Sequence, residues 1–384
     1  MATPAPAPAE LVDDLVEEIL LRCPPEDPAR LLRAALVCKR WCRLVAGPGF
    51  RRRFREFHRT APMLGFLYHR RCPLRFEPTS SFRPPRVDRG ICSWRALDAR
   101  HGRVLVHRVV PREASLVVWD PVTGARRGLP MPQFEYREWS AAFLCAAAGC
   151  DHLDCGCGPF LVVFVGIDEL ERVVSACVYS SKNSAWSELT SVEHTFYGIH
   201  GMDLPSTLVG DALYFPLRSS ARMLEYDLGT QGISMVELPP TAYGSHIVPT
   251  TTEDGRLGFA MVHKTKLFLW LREAHPVSDV EWKESRVIEL EALLPAEALL
   301  GSPEVVGFAS GIGLILLRTV RGFFTIDLKS SHVRGIGDGL SFYDVLPYTS
   351  FCTPAFGATL QVREQELMPQ VLEKLKVVKC GLLG

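Results

Sequence analysis

Apolar side chains recur at helical spacing through residues 10–59. Between Leu11 and Leu21 they return every four residues, and acidic residues occupy the opposite side, which predicts an amphipathic helix. A proline pair ends this helix, and Asp27-Pro28 supplies residues that favour the N-cap and first turn of a second helix. The remaining apolar residues of 10–59 recur at the same helical spacing. The pattern therefore predicts a small all-α domain built from several short helices.

A domain of this size can bury only a thin core. Several of the large apolar side chains in 10–59 are then available to a binding partner, and we expect a stripe of them to be left uncovered. The alternative is a plain helical subdomain whose apolar residues pack against the rest of the chain.

From Thr60 onward the pattern changes to short apolar runs separated by Gly, Pro, Asp and Ser, which is typical of many short β-strands. One unit recurs: a glycine, an apolar strand, a turn, a second strand with an aromatic or apolar residue near its end, and a third strand ending in Leu. The equivalent positions of the second strand follow one another about every 52 residues, near the period of a kelch-like propeller blade; they are Trp119, Tyr179, Tyr226, Trp270 and Ile326. Residues 60–380 have room for about six units. The repeat predicts an all-β propeller, with six blades favoured and seven possible.

Composition and charge exclude several classes of protein. Lys+Arg and Asp+Glu are both 43, whereas a protein that binds nucleic acid usually carries a basic excess. We expect the basic residues of 39–59 to balance the acidic first helix. The chain contains no apolar run of 18 residues, and residues 1–9 resemble a short disordered tail rather than a secretory signal. Twelve cysteines spread through apolar segments fit a reduced cytoplasmic or nuclear compartment.

Chemistry-bearing residues gather at one place in the predicted propeller. Thiols, an imidazole and a carboxylate are possible zinc ligands, and six such residues lie within thirteen positions: Cys145, Cys150, His152, Asp154, Cys155 and Cys157. Because Cys155-Gly-Cys157 is too tight for a zinc knuckle, we expect a reduced, thiol-bearing loop and no metal or cofactor; metal binding is the alternative. The sequence shows no G-x-S-x-G, H-E-x-x-H or phosphate-loop motif, so we expect no catalysis.

Three aspartates are expected to have a structural role. Asp120, Asp227 and Asp327 directly follow the second strand of their units. A carboxylate at that position accepts hydrogen bonds from the backbone of the following turn.

Several segments carry a resemblance to a known family. Residues 11–25 and 31–44, with Val-Cys-Lys-Arg-Trp at 37–41, resemble the F-box. Residues 80–85, 94–102, 119–124, 151–155 and 347–354 are similar to the grass F-box proteins that have a propeller-like C-terminal region. The resemblance therefore covers nearly the whole chain.

The resemblance implies a non-enzymatic function. An F-box binds the Skp-type adaptor of an SCF-type cullin–RING ubiquitin ligase, and the C-terminal domain selects the protein to be ubiquitinated. Carried over by position, the residues expected to contact the adaptor, or to support the face that does, are Leu11, Leu15, Ile19, Leu20, Leu36, Val37, Cys38 and Trp41. Two alternatives stay open: a glycan-binding or enzymatic propeller with an incidental helical cap, and an F-box protein that acts outside a ligase.

Overall fold

The computed structural model describes residues 12–69, 74–85, 94–110, 113–133, 136, 138–153, 155, 158–168, 170–194, 202, 204–217, 221–273, 281–338 and 343–353. They divide into two compact units. The helical unit contains residues 12–59 and 351–353, and the propeller unit contains residues 60–350. The expected tail 1–9 and residues 354–380 lie outside the described residues.

Four helices form the helical unit: α1 (Asp13–Leu21), α2 (Pro28–Ala35), α3 (Lys39–Ala46) and α4 (Pro48–His58). Two acidic residues lie in the first turn of α1, where they complement the helix dipole, and Pro28 begins α2. The buried faces meet in a small core that includes Val16, Val45 and Phe54. Phe351 belongs to this unit, and its ring contacts Phe54 edge-on at 6.2 Å between centroids. The propeller unit contains Thr60–Ser350, and the predicted range 60–380 stays a prediction.

The propeller unit consists of antiparallel sheets. Its first twelve strands are β1 (Met63–His69), β2 (Leu74–Pro78), β3 (Trp94–Arg100), β4 (Arg103–Val110), β5 (Glu113–Trp119), β6 (Arg126–Pro130), β7 (Glu138–Cys145), β8 (Phe160–Asp168), β9 (Val173–Ser180), β10 (Ala185–Trp186), β11 (Thr190–Glu193) and β12 (Thr207–Val209). The following twelve are β13 (Ala212–Pro216), β14 (Arg222–Asp227), β15 (Ile233–Glu237), β16 (Ile247–Thr251), β17 (Leu257–His263), β18 (Lys266–Glu273), β19 (Glu281–Glu289), β20 (Glu304–Ala309), β21 (Leu314–Thr319), β22 (Gly322–Asp327), β23 (Val333–Asp338) and β24 (Tyr343–Thr349).

These strands make a six-bladed β-propeller. Blades 1 to 5 are β3–β6, β7–β11, β12–β15, β16–β19 and β20–β23, and in each the strands run outward in chain order as strands A to D. In blade 2 the outermost position is shared by β10 and β11, which both pair with β9. Blade 6 has the order β24-β1-β2, so the last strand among the described residues pairs with the first. This pairing closes the ring.

Apolar side chains fill the spaces between neighbouring blades. Val163 of blade 2 and Phe215 of blade 3 belong to one cluster. Phe66 and Phe323 join blades 6 and 5, with their ring centroids 5.4 Å apart. The core is therefore a ring of separate inter-blade clusters.

The sequence repeat corresponds to three of the four strands of a blade. All five equivalent positions lie on strand C, and the leading glycine of the unit lies at the turn between strands A and B. Strand A was missed because several inner strands are short or interrupted; β12 has three residues, and β16 contains Pro249. The prediction of six blades is confirmed.

The three turn aspartates have the expected contacts. The second strand of the sequence unit is strand C of the blade, so these residues lie at the end of strand C. Asp120 accepts a hydrogen bond from the Val122 N–H at 2.8 Å, and Asp227 accepts one from the Thr230 N–H at 2.7 Å. Asp327 accepts from Lys329 N–H at 2.8 Å. Hydrogen bonds from Thr230 to Asp227 lower the pKa of that carboxyl group. Each carboxylate therefore stabilises the turn between strands C and D.

The longest described helix is α4, with 11 residues. Among the described residues, no helix has the length and apolar character that crossing a bilayer requires.

Candidate functional site

One side of α1 presents apolar residues to solvent. Leu15 and Ile19 lie one turn apart and are 52% and 55% exposed. Val12, directly before the helix, is exposed as well. Val16 and Leu20, each one position further along, lie on the neighbouring side of α1 and are buried. Residues four positions apart share a helix face, so each of these two pairs faces one way. The helix therefore uses one apolar side for the core of the unit and leaves the other uncovered.

A second apolar segment lies between α2 and α3. Leu36 and Val37 are 48% and 65% exposed. The Arg40 Nε donates a hydrogen bond to Asp13 Oδ1 at 2.6 Å, which holds the start of α3 beside the start of α1. We name the exposed residues Val12, Leu15, Ile19, Leu36 and Val37 the apolar surface of the helical unit.

The residues expected at an adaptor contact differ in how far their side chains are exposed. Leu15, Ile19, Leu36, Val37 and Cys38 are exposed, and Trp41 is half-buried. Leu20 is only 2% exposed, so it belongs to the core and supports the surface without being available for direct contact. Leu11 lies outside the described residues. The sequence analysis missed Val12 and also Phe57, which is exposed on α4.

Cys38 has a structural contact of its own. It is the N-cap residue of α3, and its Sγ accepts a hydrogen bond from the Trp41 N–H at 3.4 Å. The thiol therefore satisfies one of the backbone donors that the first turn of a helix leaves unpaired.

The basic residues of the helical unit pair with acidic ones. The Arg53 Nε donates to Glu17 Oε1 at 2.8 Å, and this hydrogen bond raises the pKa of Arg53. Arg52 pairs with Glu56 at 2.7 Å on α4. The Arg40–Asp13 and Arg53–Glu17 bonds link α3 and α4 to the acidic side of α1, whereas the Arg52–Glu56 pair lies within α4.

A pocket of about 280 Å³ lies in the propeller unit, on the side where strands A and B are joined. Turns of three successive blades line it: His101 from blade 1, Cys145 and His152 from blade 2, and Asp211 from blade 3. Tyr226 and several aliphatic side chains complete the wall. The pocket therefore combines apolar walls with a few polar groups, as ligand and peptide sites do.

A buried ion pair joins the inner strands beneath this pocket. Arg100 Nη1 lies 2.9 Å from Asp98 Oδ2 on the same strand, β3. Asp98 also accepts a hydrogen bond from the Phe143 N–H of β7 at 2.7 Å, and Arg100 donates to the Ser206 carbonyl, directly before β12, at 2.5 Å. Burial raises the pKa of Asp98 even though the Arg100 charge opposes the shift. The pair holds the inner ends of blades 1, 2 and 3 together.

Four metal-ligating side chains meet beside the pocket. The Sγ atoms of Cys145, Cys150 and Cys155 and one ring nitrogen of His152 all lie within 4.8 Å of one another. Their residues belong to the end of β7 and to the loop 146–159 that follows it. We name these four residues the Cys–His cluster. The sequence analysis identified these four residues among six candidates but expected a loop without metal. The other two candidates, Asp154 and Cys157, lie outside the described residues.

His101 lies against the cluster. Its ring stacks on that of His152 with the centroids 4.3 Å apart and the planes at 27°. Burial, followed by the charges of His152 and Arg100, lowers the pKa of His101 to about 4. This imidazole is therefore neutral at physiological pH.

Comparison with known families identifies both units. An F-box domain model matches residues 9–53. A model described as "F-box protein AT5G49610-like, beta-propeller" matches residues 95–356, which is more than half of the chain. The chain belongs to this family of F-box proteins. The F-box thus accounts for the helical unit up to residue 53, and the apolar surface falls within the matched range. The resemblance to plant F-box proteins is confirmed, and the kelch-like character of the propeller stays a prediction.

One curated relative is F-box protein At5g03970 of Arabidopsis thaliana. It is 25% identical over 286 residues, which cover 68% of this chain and 65% of that protein. The chain therefore spans just under two thirds of the length of this relative.

Two solved structures found by comparison have low identity and low TM-scores to this F-box protein. A protein from Lactobacillus plantarum is 10% identical, with a TM-score of 0.41, over 72% of this chain and 82% of the other. A DUF4784 family protein from Bacteroides caccae is 12% identical, with a TM-score of 0.41, over 75% and 74% of the two chains.

Proposed function

We propose that the protein is the substrate-recognition subunit of an SCF-type cullin–RING ubiquitin ligase. The F-box binds a Skp-type adaptor, and the propeller binds the protein to be ubiquitinated. The protein itself is not catalytic; it accelerates transfer by holding the target near the ubiquitin-carrying enzyme, which replaces a bimolecular encounter with proximity. The ligase assembles in the cytoplasm or the nucleus.

The observation that carries this proposal is the apolar surface of the F-box. Five large aliphatic side chains stay exposed on a unit of four helices, although its core is filled. Exposed apolar patches mark binding surfaces in soluble proteins, and Leu15 and Ile19 lie one turn apart on the same side of α1. Leu15, Ile19 and Val37 are each more than half exposed and lie where the family resemblance puts the adaptor contact.

The propeller supplies a separate place for the target. Its pocket is formed by turns, and turns vary in sequence without affecting the strands that hold them. His101, Asp211 and Tyr226 give it polar groups in an apolar setting. We propose that a peptide segment of the target binds there.

The adaptor contact is tested by the double variant Leu15→Asp/Ile19→Asp in the full chain. Fully burying Leu or Ile contributes about 1.5–3 kcal/mol, and about half of that is still to be gained at each half-exposed position. Losing both contributions, with two carboxylates to desolvate, should weaken adaptor binding at least about 10-fold. Titration of the purified adaptor by calorimetry or surface plasmon resonance measures the change.

A matched control changes two exposed leucines of the propeller. Leu170 and Leu300 are 94% and 84% exposed, and Leu170→Asp/Leu300→Asp should bind the adaptor like the wild type. Both double variants should keep the wild-type melting temperature. Undiminished adaptor binding by the F-box variant would reject the proposed contact.

The ligase role is tested by affinity purification of the wild type and the F-box double variant from cells. Wild type should retain the adaptor and a cullin, and the variant should lose both while keeping candidate targets. A wild-type complex that holds the adaptor but no cullin would show that the protein acts outside a ligase.

A further inference from the structure

The Cys–His cluster lies on a loop that departs from the geometry of its blade. In blades 1 and 3, strands A and B are joined by the two-residue turns 101–102 and 210–211, whereas in blade 2 the connection spans 146–159. The base of this loop continues the ladder, because the Ala146 N–H donates to the Pro159 carbonyl at 2.9 Å. The extra residues therefore extend beyond the end of an intact hairpin.

Two separations within the cluster lie within a few tenths of an ångström of those in a tetrahedral ligand set, and the four ligand atoms together span up to 4.8 Å. The Cys150 and Cys155 Sγ atoms are 3.4 Å apart, and the His152 Nδ1 is 3.4 Å from Cys155 Sγ. Around Zn²⁺, with Zn–S of about 2.3 Å and Zn–N of about 2.0–2.1 Å, ligand atoms are separated by about 3.8 Å for two sulfurs and about 3.6 Å for sulfur and nitrogen. Shifts of a few tenths of an ångström bring these pairs to coordination distance.

We propose that Cys145, Cys150, His152 and Cys155 bind one Zn²⁺ ion as a structural site. Three thiolates and one imidazole form the Cys₃His donor set of closed, tetrahedral zinc sites, and they suit this ion better than Ca²⁺ or Mg²⁺, which prefer oxygen. Binding is coordination without redox chemistry: Zn²⁺ replaces the three thiol protons, which go to solvent, and the imidazole binds in its neutral form.

The ligand spacing agrees with this assignment once the histidine is counted. Cys145-x₄-Cys150 is followed by His152-x₂-Cys155, so both pairs fall in the range of zinc knuckles. Cys157, whose tight spacing argued against a metal in the sequence, is not part of the set.

Surrounding residues fix the loop and balance its charge. Arg103 is buried, and its Nη2 donates to the Cys155 carbonyl at 2.9 Å. The same guanidinium lies over the rings of Phe143 and Phe160, 5.6 and 5.8 Å from their centroids. Three thiolates and Zn²⁺ carry a net charge of −1, which the positive charge of Arg103 offsets.

The site would shape the wall of the propeller pocket. Cys145 and His152 line that pocket, and His152 has a left-handed backbone with φ of 58°, a conformation that costs energy in a residue with a Cβ. Coordination to zinc would hold this strained residue and thereby fix the pocket wall. The inference does not depend on the proposed ligase function, since it concerns the propeller alone.

Metal content of the full chain, purified without a histidine tag, tests the site. Inductively coupled plasma mass spectrometry should find about one zinc per wild-type chain. Cys150→Ser and His152→Asn should each lower zinc at least about five-fold. Metal-free wild type, copper or iron in place of zinc, or full zinc in both variants would overturn the proposal.

Two matched controls separate the ligands from their neighbours. His101→Asn removes the imidazole that stacks on His152, and Asn tolerates the left-handed φ of 53° at this position. Cys352→Ser removes a partly buried cysteine of the F-box unit. Both should keep the zinc content of the wild type; zinc loss in these controls equal to that in the ligand variants would contradict the assignment.

A measurement on the wild type avoids variants that fail to fold. After chelation, Co²⁺ should restore one equivalent of metal with the intense visible absorption of a tetrahedral site and thiolate-to-metal charge transfer in the near ultraviolet. Alkylation mapped by mass spectrometry should reach Cys145 and Cys150 only after chelation, whereas exposed Cys38 reacts throughout. A disulfide between Cys150 and Cys155, or octahedral cobalt without charge transfer, would refute the site.

Discussion

At the scale of single residues, the propeller depends on polar groups that are buried near its axis. Asp98 is 2% exposed and would be very unfavourable as an isolated charge. Arg100 and the Phe143 N–H provide its partners, and the same Arg100 reaches the Ser206 carbonyl of blade 3. The charge is thus retained because it ties three blades together with bonds of defined direction.

His107 is half-buried and, within the described part of the chain, lacks such partners at one ring nitrogen. Its Nε2 is buried and has no hydrogen-bond partner among the described residues, and its ring contacts Trp139 edge-on at 4.8 Å. Burial, followed by the charge of Arg95, lowers the pKa of His107 from 6.5 to about 4. The unfolded chain therefore binds more protons than the folded one between these pH values, so His107 lowers the stability of the fold as pH falls from 6.5 towards 4.

We expect His107→Phe to reduce this acid sensitivity. Phe keeps the ring contact with Trp139 and removes both the unpaired nitrogen and the titration. The melting temperature of the wild type should fall more than that of the variant between pH 7 and pH 5, by roughly 2–4 °C for each kcal/mol of difference. His263→Phe, at an exposed histidine, is the control and should follow the wild type. Parallel pH profiles for wild type and His107→Phe would show the interpretation to be wrong.

At the scale of elements, the position of a strand within its blade determines the pattern of apolar and polar residues in its sequence. All five residues of β13 are buried, whereas most of β19 is exposed. An inner strand therefore lacks the alternation that marks a half-buried strand, and outer strands show it weakly. The F-box helices were easier to predict because their periodicity depends on residues three to four positions apart on one face.

Close packing between strands makes one glycine of β17 sensitive. A Cβ at Gly258 would lie 2.6 Å from the Trp270 carbonyl oxygen and 2.9 Å from Thr250 Oγ1, whereas a Cβ at Gly128 of β6 would meet nothing within 4 Å. Gly258→Ala should therefore lower the free energy of unfolding by about 1–3 kcal/mol, and Gly128→Ala should change it little. Denaturant titration of both variants measures the difference, and equal stabilities would contradict the packing of β17 against β18.

At the scale of the whole molecule, the propeller is closed by the two ends of its chain. β24 is the innermost strand of blade 6, and it pairs with β1 through contacts such as Phe66 with Pro347. Tyr348 adds a hydrogen bond from its hydroxyl to the Gly102 carbonyl at 2.9 Å, which joins blade 6 to blade 1. Without β24, β1 and β2 would be a two-stranded hairpin, and such hairpins are marginally stable in water.

Two truncations test this closure. A chain that ends before Tyr343 lacks β24 and should lose the cooperative unfolding transition of the propeller. A chain that ends after Thr353 keeps every described strand and should melt within a few degrees of the full chain. Differential scanning calorimetry and gel filtration compare them; a cooperative, monomeric product from the shorter chain would argue against closure by β24.

The sequence by itself determined the four short helices, the F-box resemblance and the recurrence that gives six blades, because each of these depends on residues near one another in the chain. Only the tertiary structure decided which apolar residues stay exposed, so that Leu15 is available and Leu20 is not. It also decided the pocket, whose lining comes from turns more than 100 positions apart, as between His101 and Asp211. The Cys–His cluster depends on both: local spacing places its four residues at the end of β7 and on the following loop, and a contact from distant Arg103 holds that loop. The physical reason is that burial and convergence depend on how strands pack around the ring.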